Sequence, residues 1–416
     1  MIYLDNAATT RMDERVLEEM LPYLASEYAN PSAAYSPASK VRRAIGTARE
    51  RVAALIGAEP DEIVFTSGGT ESDAAAIMGL TAQNNIRQGY STVITSQIEH
   101  PAVSRQMAAL EQRGYRVKAL KPDKYGIIDP SHIEKSVNGS TGFMSIMTAN
   151  NEIGSVNDIT AIGELCSEHG IIFHTDAVQA VGHIPIDVRA SHIDALSASG
   201  HKLHGPKGTG FLFIRRGLGA VPLINGGGQE RGLRSGTENV AGIVGLGAAC
   251  ELAAQHMTEN AHYIAELRDR LIGRVLNEIP DCILNGPDGN CASNWHDYAQ
   301  NGPGGNCVSK GSDYSLNRSL NRLQRLPGNA HFAFKDIEGA SLVIQLDMAG
   351  ICASTGSACS ASAREPSPVL QAIGLDKAYA AGSLRLTLSQ YTTQQETDDT
   401  VDVLKRSVEK LRAMRS

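Results

Sequence analysis

Asp176 and Lys202 are the two residues whose types and placement first indicate chemistry. Lys202 ends a short polar run at 199–202 (SGHK), and Asp176 ends the run 174–176 (HTD). A lysine amine can form a Schiff base with a carbonyl compound, and an ionised carboxylate can hold a pyridine nitrogen in its protonated form. Pyridoxal phosphate (PLP) chemistry requires this pair, although an aspartate after a strand often only caps the next helix.

A glycine-rich turn at 66–73 (TSGGTESD) could bind a phosphate group. Glycines let the backbone approach a ligand closely, and the amides at a helix start attract anions. The turn has neither the Gly-Lys-Ser/Thr of a Walker loop nor the glycine spacing of a dinucleotide site. Gly69 and Thr70 are therefore candidate phosphate-binding residues, and Ser199 and His201 are further polar candidates.

Three more side chains could act at a flat cofactor ring. His100 could stack on the ring and move a proton, and Gln179 could donate a hydrogen bond to the ring's phenolic oxygen. Cys359 lies among small residues at 353–362 (ASTGSACSAS), without bulky apolar neighbours to bury it. An accessible thiol can act as a nucleophile, whereas most cysteines are inert core residues and most single histidines are structural.

A tandem duplication interrupts the C-terminal half of the chain. The segment 285–293 (NGPDGNCAS) recurs as 301–309 (NGPGGNCVS). Cys291 and Cys307, with His296, could bind a metal or form a redox pair, but the close Cys-x-x-Cys pairs typical of zinc sites are missing. We therefore expect a surface insertion at about 287–325 and no metal site.

Alternating strands and helices must position these residues. Continuous apolar runs predict buried strands, and longer segments with helical spacing lie between them, which favours an α/β fold with a mainly parallel sheet and helices on both faces. The predicted strands are 62–66, 92–95, 142–147, 170–174, 195–198 and 210–214, and the predicted helices include 74–88, 101–114 and 159–170. Because Thr70, His100, Asp176 and Lys202 all follow strands, we expect them at one sheet edge. A long helix from Val240, then a second helix, leads to a C-terminal α+β region that ends in an amphipathic helix at 393–414.

The composition is that of an ordinary globular enzyme. The chain has 416 residues, 42% of them hydrophobic and 20% charged, a net charge of −7, and seven cysteines. This length favours two domains, and the charge does not indicate a nucleic-acid partner. The N-terminus lacks a secretory signal pattern, and no uninterrupted apolar run reaches the roughly 18 residues that a membrane span needs. We expect a cytoplasmic protein with neither membrane nor nucleic-acid partners, because a reducing compartment keeps thiols reactive.

Taken together, these segments resemble the NifS/IscS-like cysteine desulfurases, which are PLP enzymes of fold type I in the class V aminotransferase family. The resemblance runs from Tyr3 to about Arg412, apart from the insertion. Its motifs are 3–10 (YLDNAATT), 66–73 (TSGGTESD), 150–154 (NNEIG), 174–179 (HTDAVQ), 199–202 (SGHK), 234–239 (RSGTEN) and the SAC loop at 357–359. The resemblance implies a large PLP-binding domain at 14–258 and a smaller α+β domain formed by 1–13 and 259–416.

The resemblance also implies roles for individual residues. Lys202, Cys359 and His100 would be catalytic, with PLP joined to Lys202. The other expected cofactor-binding residues are Gly69, Thr70, Asn151, Asp176, Gln179, Ser199, His201 and Thr237, and the expected substrate-binding residues are Asn151 and Arg385. Thr237 would reach into the site from the other subunit of a homodimer.

The implied activity is conversion of L-cysteine to L-alanine, with the sulfur left on Cys359 as a persulfide for a sulfur-acceptor protein. The persulfide sulfur would serve iron–sulfur cluster or other sulfur-cofactor biosynthesis. The alternatives are a PLP-dependent selenocysteine lyase or an aminotransferase-like enzyme acting on another small amino acid. A non-catalytic partner in a sulfur pathway is a further alternative, although a scaffold would need neither Lys202 nor Cys359.

The chain departs from the family pattern at several positions. Ala74 stands where Asn is usual, Tyr35 where His is usual, and Thr148 where His often precedes the Asn pair. The segment 387–390 (TLSQ) replaces the usual Ser-Leu-Gly-Arg. None of these changes removes a group that the implied chemistry requires.

Overall fold

The computed structural model describes residues 1–288, 324–356 and 367–414. The strands are β1 (Ile2–Tyr3), β2 (Ile63–Thr66), β3 (Thr92–Ser96), β4 (Arg116–Leu120), β5 (Thr141–Ser145), β6 (Ile172–Asp176), β7 (Ala195–Ser199), β8 (Gly210–Ile214), β9 (Cys282–Asn285), β10 (Asn329–Phe334), β11 (Ile351–Cys352) and β12 (Ser383–Thr387). The helices are α1 (Glu14–Ala25), α2 (Ser36–Ile56), α3 (Gly69–Gln88), α4 (Pro101–Gln112), α5 (Pro130–Glu134), α6 (Ile159–Glu168), α7 (Val240–Glu278), α8 (Gly339–Met348), α9 (Pro368–Ala372), α10 (Lys377–Ala380) and α11 (Gln394–Ala413).

A seven-stranded sheet in the order β2-β8-β7-β6-β5-β3-β4 forms the centre of the fold. The five strands from β7 to β4 are parallel to their neighbours, whereas β8 is antiparallel to both β7 and β2. The prediction of a mainly parallel α/β sheet is therefore confirmed. Strand β4 was not predicted, because this edge strand is partly exposed and has no continuous apolar run.

Helices cover both faces of this sheet, as predicted. Phe173 and Leu196 pack on one face with α2, α6 and the first half of α7. Phe143, Ala195 and Leu212 pack on the other face with α3 and α4. Because side chains alternate along a strand, His174, Asp176, Ser197 and Ser199 all point towards the face that α3 covers.

A second core lies around the C-terminal strands. The antiparallel sheet β12-β10-β9 and the parallel pair β1-β11 pack against the second half of α7, against α8 and against α11. Leu4 belongs to this core, so the N-terminal segment lies with the C-terminal elements. The domain limits at 13–14 and 258–259 stay a prediction.

Helix α7 is one unbroken helix of 39 residues that joins the two cores, so the prediction of two successive helices was wrong. Small residues in its first half allow close packing. A Cβ added at Gly247 would lie 2.6 Å from the Cα of Ala48 on α2. A stretch of α7 is apolar enough to cross a membrane by length and composition, but 56% of that stretch is buried within the protein. A core helix has the same composition, so this is weak evidence for a membrane span.

Candidate active site

The residues that follow the parallel strands meet at one edge of the large sheet. His100 follows β3, Asp176 ends β6, and Ser199 ends β7, with Lys202 in the short 3₁₀ turn Gly200–Lys202 just beyond it. The start of α3 follows β2, which is antiparallel to β8 and so runs in the same direction as β7. Parallel strands bring their carboxyl ends together, so these groups share one site.

The Lys202 amine contacts the backbone of the N-terminal segment. Its Nζ donates hydrogen bonds to the carbonyl oxygens of Ala7 at 2.6 Å and Ala8 at 2.7 Å. Gln179 Nε2 donates to the same Ala7 oxygen at 3.0 Å. The segment 7–8 therefore links two of the predicted site residues, a connection that spacing along the chain did not reveal.

Asp176 is a buried carboxylate with Lys202, His100 and a backbone amide around it. It is 5% exposed, and its Oδ1 accepts a hydrogen bond from the Val178 amide at 2.9 Å. Burial raises the pKa of Asp176 because it disfavours the charged form, while the Val178 amide, His100 and Lys202 oppose that shift. A cationic ligand at this position would complete the stabilisation of the ionised form.

His100 caps helix α4 as well as lying at the site. Its Nδ1 accepts a hydrogen bond from the Ala102 amide at 3.1 Å, which leaves the ring proton on Nε2. Burial lowers the pKa of His100, and although Asp176 raises it, Lys202 lowers it further. The ring is therefore a neutral imidazole that can donate through Nε2 at neutral pH.

Close packing shapes the start of α3. A Cβ added at Gly69 would lie 2.5 Å from Val178 Cγ2, and one added at Gly68 would lie 3.6 Å from Ser199 Oγ. Gly68 also has a φ of +151°, which residues with a side chain rarely adopt. The glycines thus allow the first amides of α3 to approach Ser199. Thr70, in the first turn of the helix, is exposed.

His201 lies beside the same N-terminal segment. Its Nδ1 is 3.1 Å from Thr9 Oγ1, and its backbone oxygen accepts a hydrogen bond from the Thr10 amide at 2.9 Å. Burial lowers the pKa of His201 to about 4, and Lys202 and Lys207 lower it further. His201 is therefore neutral at physiological pH and can act as a hydrogen-bonding group.

Arg385 and Asn151 form a second part of the site. Arg385 is 2% exposed, and its Nη1 donates to the backbone oxygens of Asn151 at 2.9 Å and Gly356 at 3.3 Å. Its Nη2 pairs with Asp5 Oδ1 at 2.8 Å. Its Nε is buried without a hydrogen-bond partner among the described residues, so one edge of the guanidinium has an unused donor.

Among the described site residues, Thr237 is not brought together with the others in the single chain. Thr237 is exposed on the segment before α7 and makes no side-chain hydrogen bond with another site residue in the described part of the chain. Cys359 lies outside the described residues, as do Cys291, Cys307 and His296. Within residues 1–288, 324–356 and 367–414, no group of three or more His, Cys, Asp or Glu side chains suits a metal ion.

A buried polar row beneath Asp176 was not predicted. His174 Nδ1 lies 2.9 Å from Ser145 Oγ, its Nε2 lies 3.0 Å from Ser197 Oγ, and Asp73 Oδ1 lies 3.6 Å from that Nε2. Burial raises the pKa of Asp73 well above its usual range, with Asp176 adding to the shift, and burial lowers the pKa of His174 to about 3. The available signal was His174 two residues before Asp176, which places both side chains on one face of β6.

The fold and this edge of the sheet define a class of enzyme, and comparison with known proteins agrees. The model of the family described as aminotransferase class-V matches residues 2–295. A solved structure titled NifS-like protein superposes with a TM-score of 0.84 at 33% identity, covering 99% of this chain and 100% of that one.

Relatives narrow the class further. A cysteine desulfurase from Nostoc sp. (strain PCC 7120) is 45% identical over 415 residues, which cover 100% of this chain and 94% of the relative. A structure titled SspA in complex with cysteine superposes with a TM-score of 0.76 at 35% identity, covering 94% of this chain and 100% of that one. The chain belongs to the cysteine desulfurase family.

Proposed function

We propose that this chain converts L-cysteine to L-alanine and carries the released sulfur on Cys359 as a persulfide. The observation that carries the proposal is the meeting of Lys202 and Asp176 at one sheet edge, beside the glycine-rich start of α3. An amine, a buried carboxylate and a set of helix-start amides match the aldehyde, ring nitrogen and phosphate of PLP. Membership of the cysteine desulfurase family supports the same assignment.

The residues present fit PLP. Val178 leaves no room for a side chain at position 69, so the turn at Gly69 stays open to a ligand. The amides at the start of α3, together with Thr70, Ser199 and His201, would hold the phosphate. Asp176 would pair with the ring nitrogen, Gln179 would donate to the phenolic oxygen, and Asn151 would contribute a further polar contact. His100 would lie against the ring face, and Lys202 would join the cofactor covalently. When bound, PLP supplies an electron sink for the charge that develops at the substrate's α-carbon.

Lys202 would move the proton at the substrate's α-carbon. A proton-transferring amine must be held within hydrogen-bond reach of the site, and the carbonyls of Ala7 and Ala8 fix Nζ there. His100 adds a neutral imidazole whose Nε2–H can donate to a developing negative charge. Both groups lie near Asp176, so proton movement and ring pairing occur in one buried environment.

Arg385 and Asn151 would bind the substrate's α-carboxylate. The buried Nε of Arg385 lacks a partner among the described residues, and a carboxylate oxygen would satisfy it. Arginine binds carboxylates with two parallel hydrogen bonds, which fixes orientation as well as position. The bound amino acid would thereby present its side-chain sulfur in a defined direction.

Cys359 would take the sulfur. Its thiolate attacks the sulfur of the bound substrate, an S–S bond forms, and the Cβ–S bond of the substrate breaks. The electron pair of the broken bond stays with the amino-acid fragment, which takes up a proton and leaves as alanine. The described ends of the segment that holds Cys359 are both fixed, because Arg385 binds the Gly356 oxygen and Ser367 donates to Glu152 at 2.5 Å.

We further propose a homodimer in which Thr237 contributes to the partner's cofactor site. Thr237 is exposed in the single chain, which suits a contact across an interface. Leu17, Leu21 and Leu24 form an exposed apolar stripe on α1, and Val221 and Leu223 are also exposed. Apolar stripes of this kind are typical of protein interfaces. A sulfur-acceptor protein and a cytoplasmic location complete the proposal, since a persulfide needs an acceptor and a reducing compartment.

Two substitutions with matched controls test the proposed function. Lys202→Ala should abolish the visible absorbance of bound PLP and the formation of alanine, whereas Lys207→Ala, at an exposed neighbour, should change neither. Cys359→Ser should keep the absorbance and lose persulfide formation. Cys282→Ser is its control, because burial raises the pKa of the Cys282 thiol to about 12 and makes it a poor nucleophile. Retained PLP absorbance in Lys202→Ala would refute the attachment of PLP to Lys202, and unchanged sulfur transfer in Cys359→Ser would refute the role of Cys359.

A further inference from the structure

The guanidinium that would bind the substrate's carboxylate already pairs with a carboxylate of this chain. Asp5 Oδ1 lies 2.8 Å from Arg385 Nη2, and the two side chains are 22% and 3% exposed. The Arg385 side chain is thus nearly enclosed, while Asp5 reaches the solvent-accessible side of the pair. Because Nε and Nη2 lie on the same edge of a guanidinium, a carboxylate that binds the free Nε of Arg385 lies beside Asp5.

Glu152 is also near Arg385, but it accepts a hydrogen bond from Ser367 and forms no ion pair with Arg385 among the described residues. Burial raises the pKa of Glu152, and the Ser367 hydroxyl and Arg385 oppose this shift without cancelling it. The Arg385 Nη1 contacts are to the neutral backbone oxygens of Asn151 and Gly356. Among the described residues, Asp5 is the carboxylate that forms an ion pair with Arg385.

Asp5 is also held next to the catalytic lysine. Its backbone forms a bridge with Thr387 of β12, two residues beyond Arg385, and its carbonyl accepts from the Ala8 amide at 3.0 Å. The carbonyls of Ala7 and Ala8, two and three residues after Asp5, bind the Lys202 amine. The backbone at Asp5 is fixed by these contacts, while the partly exposed carboxylate can turn away from Arg385.

We propose that Asp5 competes with the carboxylate of the amino acid for Arg385 and so sets the affinity for both L-cysteine and L-alanine. When the ligand binds, two carboxylates face one guanidinium, and the repulsion between them weakens binding. The product carries the same carboxylate as the substrate, so the same repulsion speeds the release of alanine. Asp5 is an affinity-determining residue that acts through Arg385.

The inference rests on the proposed function, in which Arg385 binds the carboxylate, and one pair of ligands tests both. Holoenzyme is titrated with L-alanine and with L-alaninamide, which lacks the negative charge, by calorimetry. Asp5→Asn should bind L-alanine about tenfold more tightly and L-alaninamide within about twofold of wild type, because only the first ligand meets the lost charge. The KM for L-cysteine should fall in parallel.

Asp398→Asn is the matched control, because Asp398 also pairs with an arginine at 2.8 Å and is 21% exposed, but lies on α11, where its partner is Arg270 of α7. It should leave both affinities unchanged. Unchanged or weaker L-alanine binding in Asp5→Asn, with L-alaninamide binding intact, would overturn the inference and leave Asp5 as a support for Arg385. Arg385→Lys distinguishes a failure of the inference about Asp5 from a failure of the proposed carboxylate site at Arg385. If it weakens L-alanine while Asp5→Asn has no effect, only the inference fails, and if it leaves L-alanine unchanged, the proposed carboxylate site fails as well.

Discussion

Glu99, directly before His100, should make the protein less stable as the pH rises. The side chain is 7% exposed, and its Oε1 accepts from the Ser96 hydroxyl at 2.6 Å and from the Met147 amide at 3.0 Å. Its Oε2 has no hydrogen-bond partner among the described residues. Burial raises the pKa of Glu99 from 4.5 to about 8, and Asp176 adds to the shift. The folded protein therefore holds a proton here that the unfolded chain releases at neutral pH.

Replacing Glu99 with Gln removes this proton equilibrium and keeps the Oε1 acceptor. A group whose pKa is higher in the folded protein than in the unfolded chain stabilises the folded state fully at pH values below the unfolded-state pKa. This contribution declines as the pH rises towards the folded-state pKa. Each pH unit in that window is worth about 1.4 kcal/mol, so the three units from pH 5 to pH 8 are worth at most about 4 kcal/mol. The free energy of unfolding of Glu99→Gln, relative to wild type, should increase by up to that amount over this range.

Urea unfolding of the holoenzyme at a fixed protein concentration, repeated at each pH, measures this difference. Glu134→Gln is the control, because Glu134 is exposed on α5 and its replacement should give a difference that does not change with pH. The reasoning is refuted if the Glu99→Gln difference is flat between pH 5 and pH 8, or if the variant loses stability relative to wild type as the pH rises.

Three further predictions concern Gly69, the segment 289–323 and the buried Arg325. Gly69→Ala should cost about 1–3 kcal/mol and weaken cofactor retention on dialysis, because the new Cβ would lie 2.5 Å from Val178 Cγ2. Val178→Ala in the same chain should restore both properties, and a failure of this rescue would contradict the steric explanation. Replacing 289–323 with a short Gly-Ser linker should leave alanine formation within about twofold of wild type, because the duplicated Gly- and Asn-rich sequence predicts a surface insertion that adds no residue to the active site. Arg325→Ala should instead cost about 3 kcal/mol or more in thermal unfolding, because the buried Arg325 donates to the carbonyls of Ile153, Asn285, Pro287 and Asn329.

Much of the large sheet could be predicted from the sequence, because its central strands are continuous apolar runs followed directly by polar residues. His100, Asp176 and Ser199 each lie at such a boundary, so their convergence followed from parallel strand order alone. The edge strand β4 gave no such signal, since it is partly exposed. Helix α7 was not predicted as one unbroken helix, because its two halves pack into different cores. The sequence does not show which core each half joins.

Contacts between distant parts of the chain could not be predicted. The Ala7 carbonyl that binds Lys202 is a backbone group and carries no signal in its residue type. Asp5 and Arg385 are 380 residues apart, and the apolar pattern of the sequence around each of them does not indicate that their side chains pair. The burial of Asp73 beneath Asp176 depends on α3 lying across the sheet, whereas in the sequence Asp73 reads as an ordinary polar residue of a helix start.

The central claim is that Lys202 and its neighbours release the sulfur of L-cysteine onto Cys359. A single turnover of holoenzyme with L-cysteine, without reductant or acceptor, tests it by mass spectrometry of the Cys359 peptide and by measuring alanine. We expect the peptide to gain the mass of one sulfur atom in the same molar amount as the alanine formed. Alanine formed by an enzyme whose Cys359 peptide stays unmodified, with the sulfur recovered as elemental sulfur or as the persulfide of free cysteine, would contradict the claim.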